Sequence, residues 1–150
     1  MTTKLRVLRG LTEARSYNTD AALEKGLAVQ EKAADPTIIE AGGNGTIGFL
    51  LQEVTVTGPA FEIQNAGIPV DEVPIGQRVT VRSGEGEIVT GQADAGLAAA
   101  AINADLGINA GKWRVAIAGD KVIGRLLEKD FNGVTGDYRI EVLRTAVVTP

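Results

Sequence analysis

The sequence predicts a mainly β protein: a compact antiparallel barrel or sandwich with an extended N-terminal arm and at most one or two short helices. Many short segments alternate apolar and polar residues, which is the period of a half-buried strand. The 150 residues include 19 glycines, as expected of a chain with many tight turns. Hydrophobic residues make up 44% and aromatic residues 4% of the chain, so aliphatic side chains must build most of the core.

The clearest local pattern lies at residues 74–90. Val79 and Val81 alternate with polar residues, and residues 88–89 begin a second apolar run. Residues 83–86 separate the two runs and contain two glycines, which adopt positive φ without steric cost. The pattern predicts a β-hairpin whose two strands pair with each other.

Other strands are predicted where apolar and polar residues alternate in segments bounded by the turn-forming residues Gly, Pro and Asn. A change of apolar face near Leu51 predicts either a bulge or a strand that is partly buried on both sides. The Gly-Gly-Asn-Gly run at 42–45 predicts a tight hairpin connection. Residues 145–150 either extend the last strand or pair elsewhere. The predicted strands lie within residues 23–30, 37–40, 46–57, 61–64, 112–118, 121–128 and 138–143.

Residues 93–106 are the one segment with a helical composition. Alanine, the best helix former, dominates the segment. Asp94 is suited to cap its start and Gly107 to end it. The composition predicts a single helix here.

Residues 1–22 form a distinct segment, and residues 23–150 are predicted to form one β-rich domain. The segment is locally basic on a chain of net charge −4, and its apolar residues follow neither a helical nor a strand period. Two interpretations stay open. The segment packs against its own domain, or it reaches out as an arm to a neighbouring subunit.

Composition also restricts the function. The chain has no cysteine, which excludes disulfides, thiolate catalysis and Cys-ligated zinc, and no histidine, the commonest general base. The negative net charge argues against nucleic-acid binding. The sequence contains no apolar run long enough for a signal peptide or a membrane span. We therefore expect no enzymatic activity, no metal or other cofactor, and no small-molecule, nucleic-acid or membrane partner.

Two further motifs have structural alternatives. Residues 46–52 resemble residues 122–128, with Gly48 matching Gly124, and this predicts two strands with the same role in a barrel. The turn at Asp120 and Lys121 resembles that of lipoyl carrier domains, which implies a modified lysine at a hairpin tip. A small carrier or binding module is therefore one alternative function.

Four short motifs, together with the basic and apolar N-terminal segment, resemble the head decoration (capsid cement) proteins of tailed bacteriophages. The resemblance covers residues 23–128, except for the Ala-rich segment at 93–106. The motifs are Leu23-Glu24-Lys25-Gly26-Leu27-Ala28-Val29, Ile47-Gly48-Phe49-Leu50-Leu51, Pro74-Ile75-Gly76-Gln77-Arg78-Val79-Thr80-Val81 and Val122-Ile123-Gly124-Arg125-Leu126-Leu127.

This resemblance implies a structural virion protein, made in the host bacterial cytoplasm and placed on the exterior of the capsid. Such proteins bind an expanded head as homotrimers at three-fold positions and brace the major capsid protein against internal DNA pressure. A tail or spike module of a virion is the other structural alternative. The residues expected to contact the capsid or a neighbouring subunit are Leu5, Arg6, Val7, Leu8, Arg9 and Leu11.

Overall fold

The computed structural model describes residues 3–55 and 72–148. The predicted mainly β, largely antiparallel architecture is confirmed, with a closed barrel as one of its parts. The predicted strand at residues 61–64 lies outside the described residues. The strands are β1 (Arg6–Gly10), β2 (Glu13–Thr19), β3 (Ala28–Glu31), β4 (Ile38–Ala41), β5 (Thr46–Leu50), β6 (Glu53–Thr55), β7 (Glu72–Pro74), β8 (Val79–Ser83), β9 (Gly86–Thr90), β10 (Asp105–Asn109), β11 (Lys112–Val115), β12 (Lys121–Lys129) and β13 (Tyr138–Val148).

The strands form a sheet, a barrel and one short pair. The six-stranded sheet has the order β1-β9-β13-β12-β10-β11, and all its neighbours are antiparallel. The barrel has the order β2-β4-β3-β5-β8 and closes because β8 pairs with β2 as well as with β5. Strands β2 and β4 are parallel, and so are β6 and β7, which form the separate pair.

Two hydrophobic cores hold this arrangement together. One fills the barrel and includes Val29, Leu50 and Val79. The other lies between the barrel and the sheet. Phe49 of the barrel stacks there on Trp113 of the sheet, with ring centroids 5.7 Å apart and planes inclined by 19°. The barrel and the sheet are therefore packed face to face, as in a sandwich.

The predicted hairpin at residues 74–90 is wrong in its pairing. Both strands exist, but β8 belongs to the barrel and β9 to the six-stranded sheet. Their partners are the first two strands of the chain: β2 pairs with β8, and β1 pairs with β9. Strands β1 and β2 on one side, and β9 and β8 on the other, therefore form one antiparallel ribbon that continues from the sheet into the barrel.

The ribbon bends where it passes from sheet to barrel. On one side of the bend Gly10 and Leu11 have φ of 72° and 51°, and on the other Gly84 has φ of 112°. A Cβ on Gly10 would lie 2.0 Å from the carbonyl oxygen of Glu85, so only glycine fits this crossing. The backbone N–H of Leu11 donates to the same oxygen over 3.0 Å.

The N-terminal segment packs against its own domain, which was one of its two interpretations. It supplies β1 to the sheet and β2 to the barrel wall. The backbone N–H and the hydroxyl of Thr3 donate to the buried Asp137 over 2.6 and 2.7 Å. Residues 6–10 and 13–19 of this segment are therefore strands of the sheet and of the barrel.

The predicted helix at 93–106 is wrong. The segment contains one 3₁₀ helix, Ala95–Ala99, after which Ala100 is extended and β10 begins at Asp105. Leu97 and Ala100 are both buried in the core between barrel and sheet, and packing there outweighs the helix propensity of alanine. A second 3₁₀ helix lies at Phe131–Gly133.

The connection at residues 42–45 does not form a hairpin either, because β4 and β5 lie on opposite sides of β3. Its Asn44 links the barrel to the sheet: the amide donates to the carbonyl of Gly119 over 3.1 Å and accepts from the N–H of Lys121 over 3.0 Å. A break between β5 and β6 replaces the predicted bulge near Leu51. Strand β13 extends to Val148, as one alternative predicted.

The chain crosses from β11 to β12 over the face of β10 that points away from the core. Asp120, in this crossing, lies against Gly107, where a Cβ would be 3.1 Å from its carboxylate. Gly107 pairs in register with Arg114. The guanidinium of Arg114 donates to both carboxylate oxygens of Asp120 over 2.8 and 3.0 Å. Gly107, predicted to end a helix, therefore makes room for an ion pair between the half-buried Arg114 and the buried Asp120.

This ion pair predicts a pH-dependent stability. The hydrogen bonds from Arg114 lower the pKa of Asp120 below its usual value. A folded-state pKa below the unfolded value stabilises the fold at pH values above about 4, and that contribution is lost as the pH falls through the folded-state pKa. Asp120→Asn is expected to lower the free energy of unfolding by about 1–3 kcal/mol at neutral pH.

Denaturant unfolding at a series of pH values tests this. The difference in the free energy of unfolding between wild type and Asp120→Asn should be constant near neutral pH. It should narrow below about pH 4, because the wild-type Asp120 is then protonated and uncharged, like the asparagine. Asp105→Asn is the matched control, since Asp105 is exposed and makes no ion pair or side-chain hydrogen bond within the described residues. A difference that is the same at every pH would contradict the ionic role of Asp120.

Candidate contact surface

The six predicted contact residues fall into two groups. Leu11 is fully buried, and Leu5 and Val7 are partly buried against the core between barrel and sheet. Arg6, Leu8 and Arg9 are exposed. These three form a surface that we call the β1 strip (Arg6, Leu8 and Arg9), and only they are available to a partner.

The strip lies on an open sheet edge. Within the described part of the chain, β1 pairs with β9 alone. The opposite edge strand, β11, is covered: the N–H of Trp113 donates to the carbonyl of Gln92, and its carbonyl accepts from the N–H of Asp94, each over 2.9 Å. Open edges present backbone donors and acceptors to another chain, so β1 is the edge suited to an intermolecular contact.

A bulge places Leu8 at the surface. Val7 pairs with Ile88 and Arg9 with the adjacent Glu87, so Leu8 is the extra residue between two paired positions. Leu8 is 37% exposed, one of five exposed large apolar residues in the described part of the chain. Bulges redirect side chains at sheet edges, and this one turns an apolar side chain outward.

The two arginines of the strip differ in their surroundings. Arg9 donates to Glu87, which also accepts from Arg139, and Glu141 lies 3.8 Å from Arg9. The hydrogen bonds from Arg9 and Arg139 lower the pKa of Glu87. Arg6 makes no ion pair or side-chain hydrogen bond with any described residue. Ion pairs thus hold the Arg9 side chain in place, whereas the Arg6 guanidinium has no such partner among the described residues.

A cleft of about 540 Å³ opens beside the bend of the ribbon, between the barrel and the sheet. Its apolar wall comes from both parts of the fold and consists of Ile47, Phe49, Ile123, Val142 and Leu143. Its polar rim consists of Thr12, Glu13, Thr46, Ser83 and Glu85. We call this surface the junction cleft. The accessible lining of the cleft is more polar than apolar, unlike the mostly apolar lining of a typical small-molecule site.

The internal sequence similarity marks the two walls of this cleft. Ile47 and Ile123 hold equivalent positions in the similar segments, and they face the cleft from β5 and β12 respectively. The segments therefore lie in the barrel and in the sheet, not in one barrel as predicted. In both, the glycine after the isoleucine is required by packing: a Cβ on Gly48 would lie 2.4 Å from the carbonyl oxygen of Arg82, and one on Gly124 2.4 Å from the ring of Trp113.

The junction cleft was not predicted from the sequence. Its two carboxylates, Glu13 and Glu85, were assigned to an arm and to an exposed hairpin turn. Both are exposed, and neither makes an ion pair or a side-chain hydrogen bond within the described residues. The similarity between the segments containing Ile47 and Ile123 was the one signal that could have located it.

Other kinds of site have less support in the structure. Within residues 3–55 and 72–148, no three acidic side chains come together as metal ligands would. No helix in the described part of the chain has the length and apolar character needed to cross a membrane. Lys121 does not lie at a hairpin tip, because β11 and β12 are separated by β10. Its neighbour Asp120 is already paired with Arg114.

No protein-family model matches the chain, and no curated protein matches its sequence. The resemblance to head decoration proteins therefore rests on the four short motifs. In the described structure the second and fourth motifs lie on β5 and β12, whereas the first reaches only the start of β3 and the third joins β7 to β8.

Proposed function

We propose that this chain is a structural virion protein. It binds the outside of an expanded tailed-phage capsid as a homotrimer at three-fold positions and stabilises the capsid against internal DNA pressure. The observation that carries the proposal is the β1 strip, an apolar residue with two arginines on an open sheet edge. The motif resemblance supplies the class of particle, and the strip supplies a surface for assembly.

The chemistry of the strip suits a protein partner with carboxylates and an apolar contact. Guanidinium groups bind carboxylates through two hydrogen bonds, and Arg6 has no such partner within the described chain. Burial of Leu8 would add about 25 cal/mol for each Å² of apolar surface removed from water. Each contact is small, but a trimer makes three at once, so its overall affinity for a capsid rises far above that of one chain.

The way in which β1 is held also suits a bracing role. Its strand is hydrogen-bonded to β9, and the chain continues directly into β2 of the barrel. Leu11, between the two strands, is anchored in the core. A force applied at the β1 strip would act on both the sheet and the barrel. Detachment of β1 would therefore require the loss of its hydrogen bonds to β9 and of the packing of Leu11.

Co-sedimentation with decoration-free heads tests the proposed function. Purified protein is mixed with expanded and with unexpanded heads of a tailed phage whose genome encodes the chain. We expect saturable binding to expanded heads only, with a copy number that matches the three-fold positions. Binding to neither form would contradict the proposal and favour a tail or spike module. Equal binding to both forms would contradict a role after expansion.

A strip variant identifies the surface responsible. Arg6→Glu combined with Leu8→Asp should lower head binding at least tenfold, which corresponds to about 1.4 kcal/mol or more. Arg78→Glu with Ile117→Asp is the matched control, since it changes one exposed arginine and one exposed apolar residue elsewhere. Wild-type head binding by the strip variant would show that another surface holds the capsid.

A further inference from the structure

We infer that a second cavity, at the open side of β2, binds the phosphate monoester of a small polyol, a molecule with several hydroxyl groups. The cavity has a volume of about 590 Å³, and its lining includes Arg15, Ser16, Thr37 and Arg78. We call it the β2 cavity. The two arginines bind the phosphate group, and Ser16 contacts both the phosphate and a hydroxyl of the ligand. This site shares no residue with the β1 strip and goes beyond the proposed function.

The β2 cavity lies where β2 extends past its neighbour β4. On one side, β2 pairs with β8 at every position of residues 13–17. On the other side it pairs with β4 only at Asn18 and Thr19, and the N–H of Asn18 donates there to the carbonyl of Thr37 over 2.8 Å. Within the described part of the chain, residues 13–17 therefore have no strand on that side, and the barrel wall is open beside them.

Ser16 directs both of its backbone polar groups into this opening. Its partner in β8 is Thr80, whose N–H donates to the side chain of Gln52 over 2.9 Å. The carbonyl of Thr80 accepts from the N–H of Leu51 over 3.2 Å. Thr80 thus bonds away from β2, and Ser16 and Thr80 are a non-hydrogen-bonded pair. The N–H and carbonyl of Ser16 point to the opposite side of β2, so they offer a donor and an acceptor to a ligand.

Two guanidinium groups make the β2 cavity electropositive. Arg15 and Arg78 are exposed, and neither makes an ion pair or a side-chain hydrogen bond with any described residue. No acidic residue belongs to the lining, although the chain has 19 acidic and 15 basic residues. Arg15 lies opposite Val81, three residues after Arg78, so the two arginines are about 10 Å apart along the ladder. Their long side chains can therefore reach one ligand together.

These groups fit a phosphate monoester better than a carboxylate. A phosphate monoester carries nearly two negative charges at neutral pH, which two guanidinium groups balance, whereas a carboxylate carries one. Guanidinium groups also bind phosphate oxygens through paired hydrogen bonds. The cavity is larger than a phosphate group alone, and the carbonyl of Ser16 requires a donor. Both properties are met by a ligand body that carries hydroxyl groups.

The β2 cavity departs from the expectation that the chain has no small-molecule partner. That expectation rests on composition, above all on the lack of histidine and cysteine. Arginine binds phosphate without either residue. The lining comes from three separate parts of the chain, residues 15–18, residues 36–37 and Arg78, so no local motif reveals the cavity.

Isothermal titration calorimetry of the full chain with glycerol 3-phosphate tests the site. We expect saturable binding at one site per chain, weaker binding of inorganic phosphate and no binding of glycerol. The affinity should fall as the pH is lowered through about 6, because the ligand then loses its second negative charge while the arginines stay charged. Arg15→Gln and Arg78→Gln should each weaken binding at least about tenfold. Arg125→Gln is the matched control, since Arg125 is exposed and makes no ion pair with any described residue.

The backbone amide of Ser16 provides an independent readout by NMR. Its proton resonance should shift downfield on saturation with glycerol 3-phosphate, and its hydrogen exchange should slow. The amide of Ala14, on the same side of β2 but outside the lining, should change less. Melting temperatures show that each variant is folded. The inference would be overturned by a lack of saturable binding, by equal affinity for inorganic phosphate, or by equal effects of Arg125→Gln and Arg15→Gln.

Discussion

Deletion of residues 1–17 is expected to unfold the chain. The deletion removes β1 from the edge of the six-stranded sheet and five of the seven residues of β2 from the barrel wall, namely those that pair with β8. Without β2 the barrel cannot close, because β2 is the strand that joins β4 to β8. Loss of far-UV β signal and of dispersed amide resonances would be the measured result. A deletion variant that unfolds cooperatively would instead show that the segment is a detachable arm.

Single substitutions of two leucines in this segment test, without a deletion, how much its packing stabilises the fold. Leu11→Ala creates a cavity in the core between barrel and sheet and is expected to lower the free energy of unfolding by about 2–5 kcal/mol. Leu8→Ala is the matched control and should change it by less than about 0.5 kcal/mol, because Leu8 is exposed. Equal effects of the two substitutions would contradict the packing of the bend.

These expectations decide how the surface can be tested. A truncation would remove the fold together with the strip, so its loss of binding would carry no information about the contact. Substitutions at Arg6 and Leu8 change the exposed surface while the buried Leu11 keeps the bend in place. Point variants with matched controls are therefore the appropriate tools for both proposals.

Gly124→Ala is expected to lower the free energy of unfolding by about 1–3 kcal/mol, through overpacking. The new Cβ would lie 2.4 and 2.7 Å from two atoms of the Trp113 ring and 3.0 Å from the carbonyl oxygen of Glu141. Trp113 cannot move aside easily, because it is 1% exposed and stacks on Phe49. Denaturant unfolding measures the loss.

A double-mutant cycle identifies the cause. Trp113→Phe shortens the ring at the atoms that the new methyl would meet, so Gly124→Ala should cost less in that background, with a coupling of about 0.5–3 kcal/mol. Gly43→Ala is the control glycine: its Cβ would meet only the Gln30 amide, at 3.7 Å, and its effect should be within about 0.5 kcal/mol. An additive cycle would show that Trp113 is not the obstacle.

The candidate site was only partly predictable from the sequence. The basic and apolar character of residues 5–11 predicts a contact segment, and of its six named residues Arg6, Leu8 and Arg9 are exposed. The irregular period that suggested an arm has another origin, namely the bulge at Leu8 and the positive φ of Leu11. The junction cleft was not predicted, because its walls come from segments far apart in the chain.

By itself, the sequence determined the mainly β class, the position of most strands and the aliphatic nature of the cores. These properties are local, since alternation with period two and turn-forming glycines are visible within a few residues. Only the tertiary structure decided which strands pair. Strands β8 and β9 part into different sheets because each pairs with a strand from the first 19 residues, and alternation is the same whatever the partner. The Ala-rich segment became a short 3₁₀ helix and a strand because burial of Leu97 and Ala100 depends on distant residues.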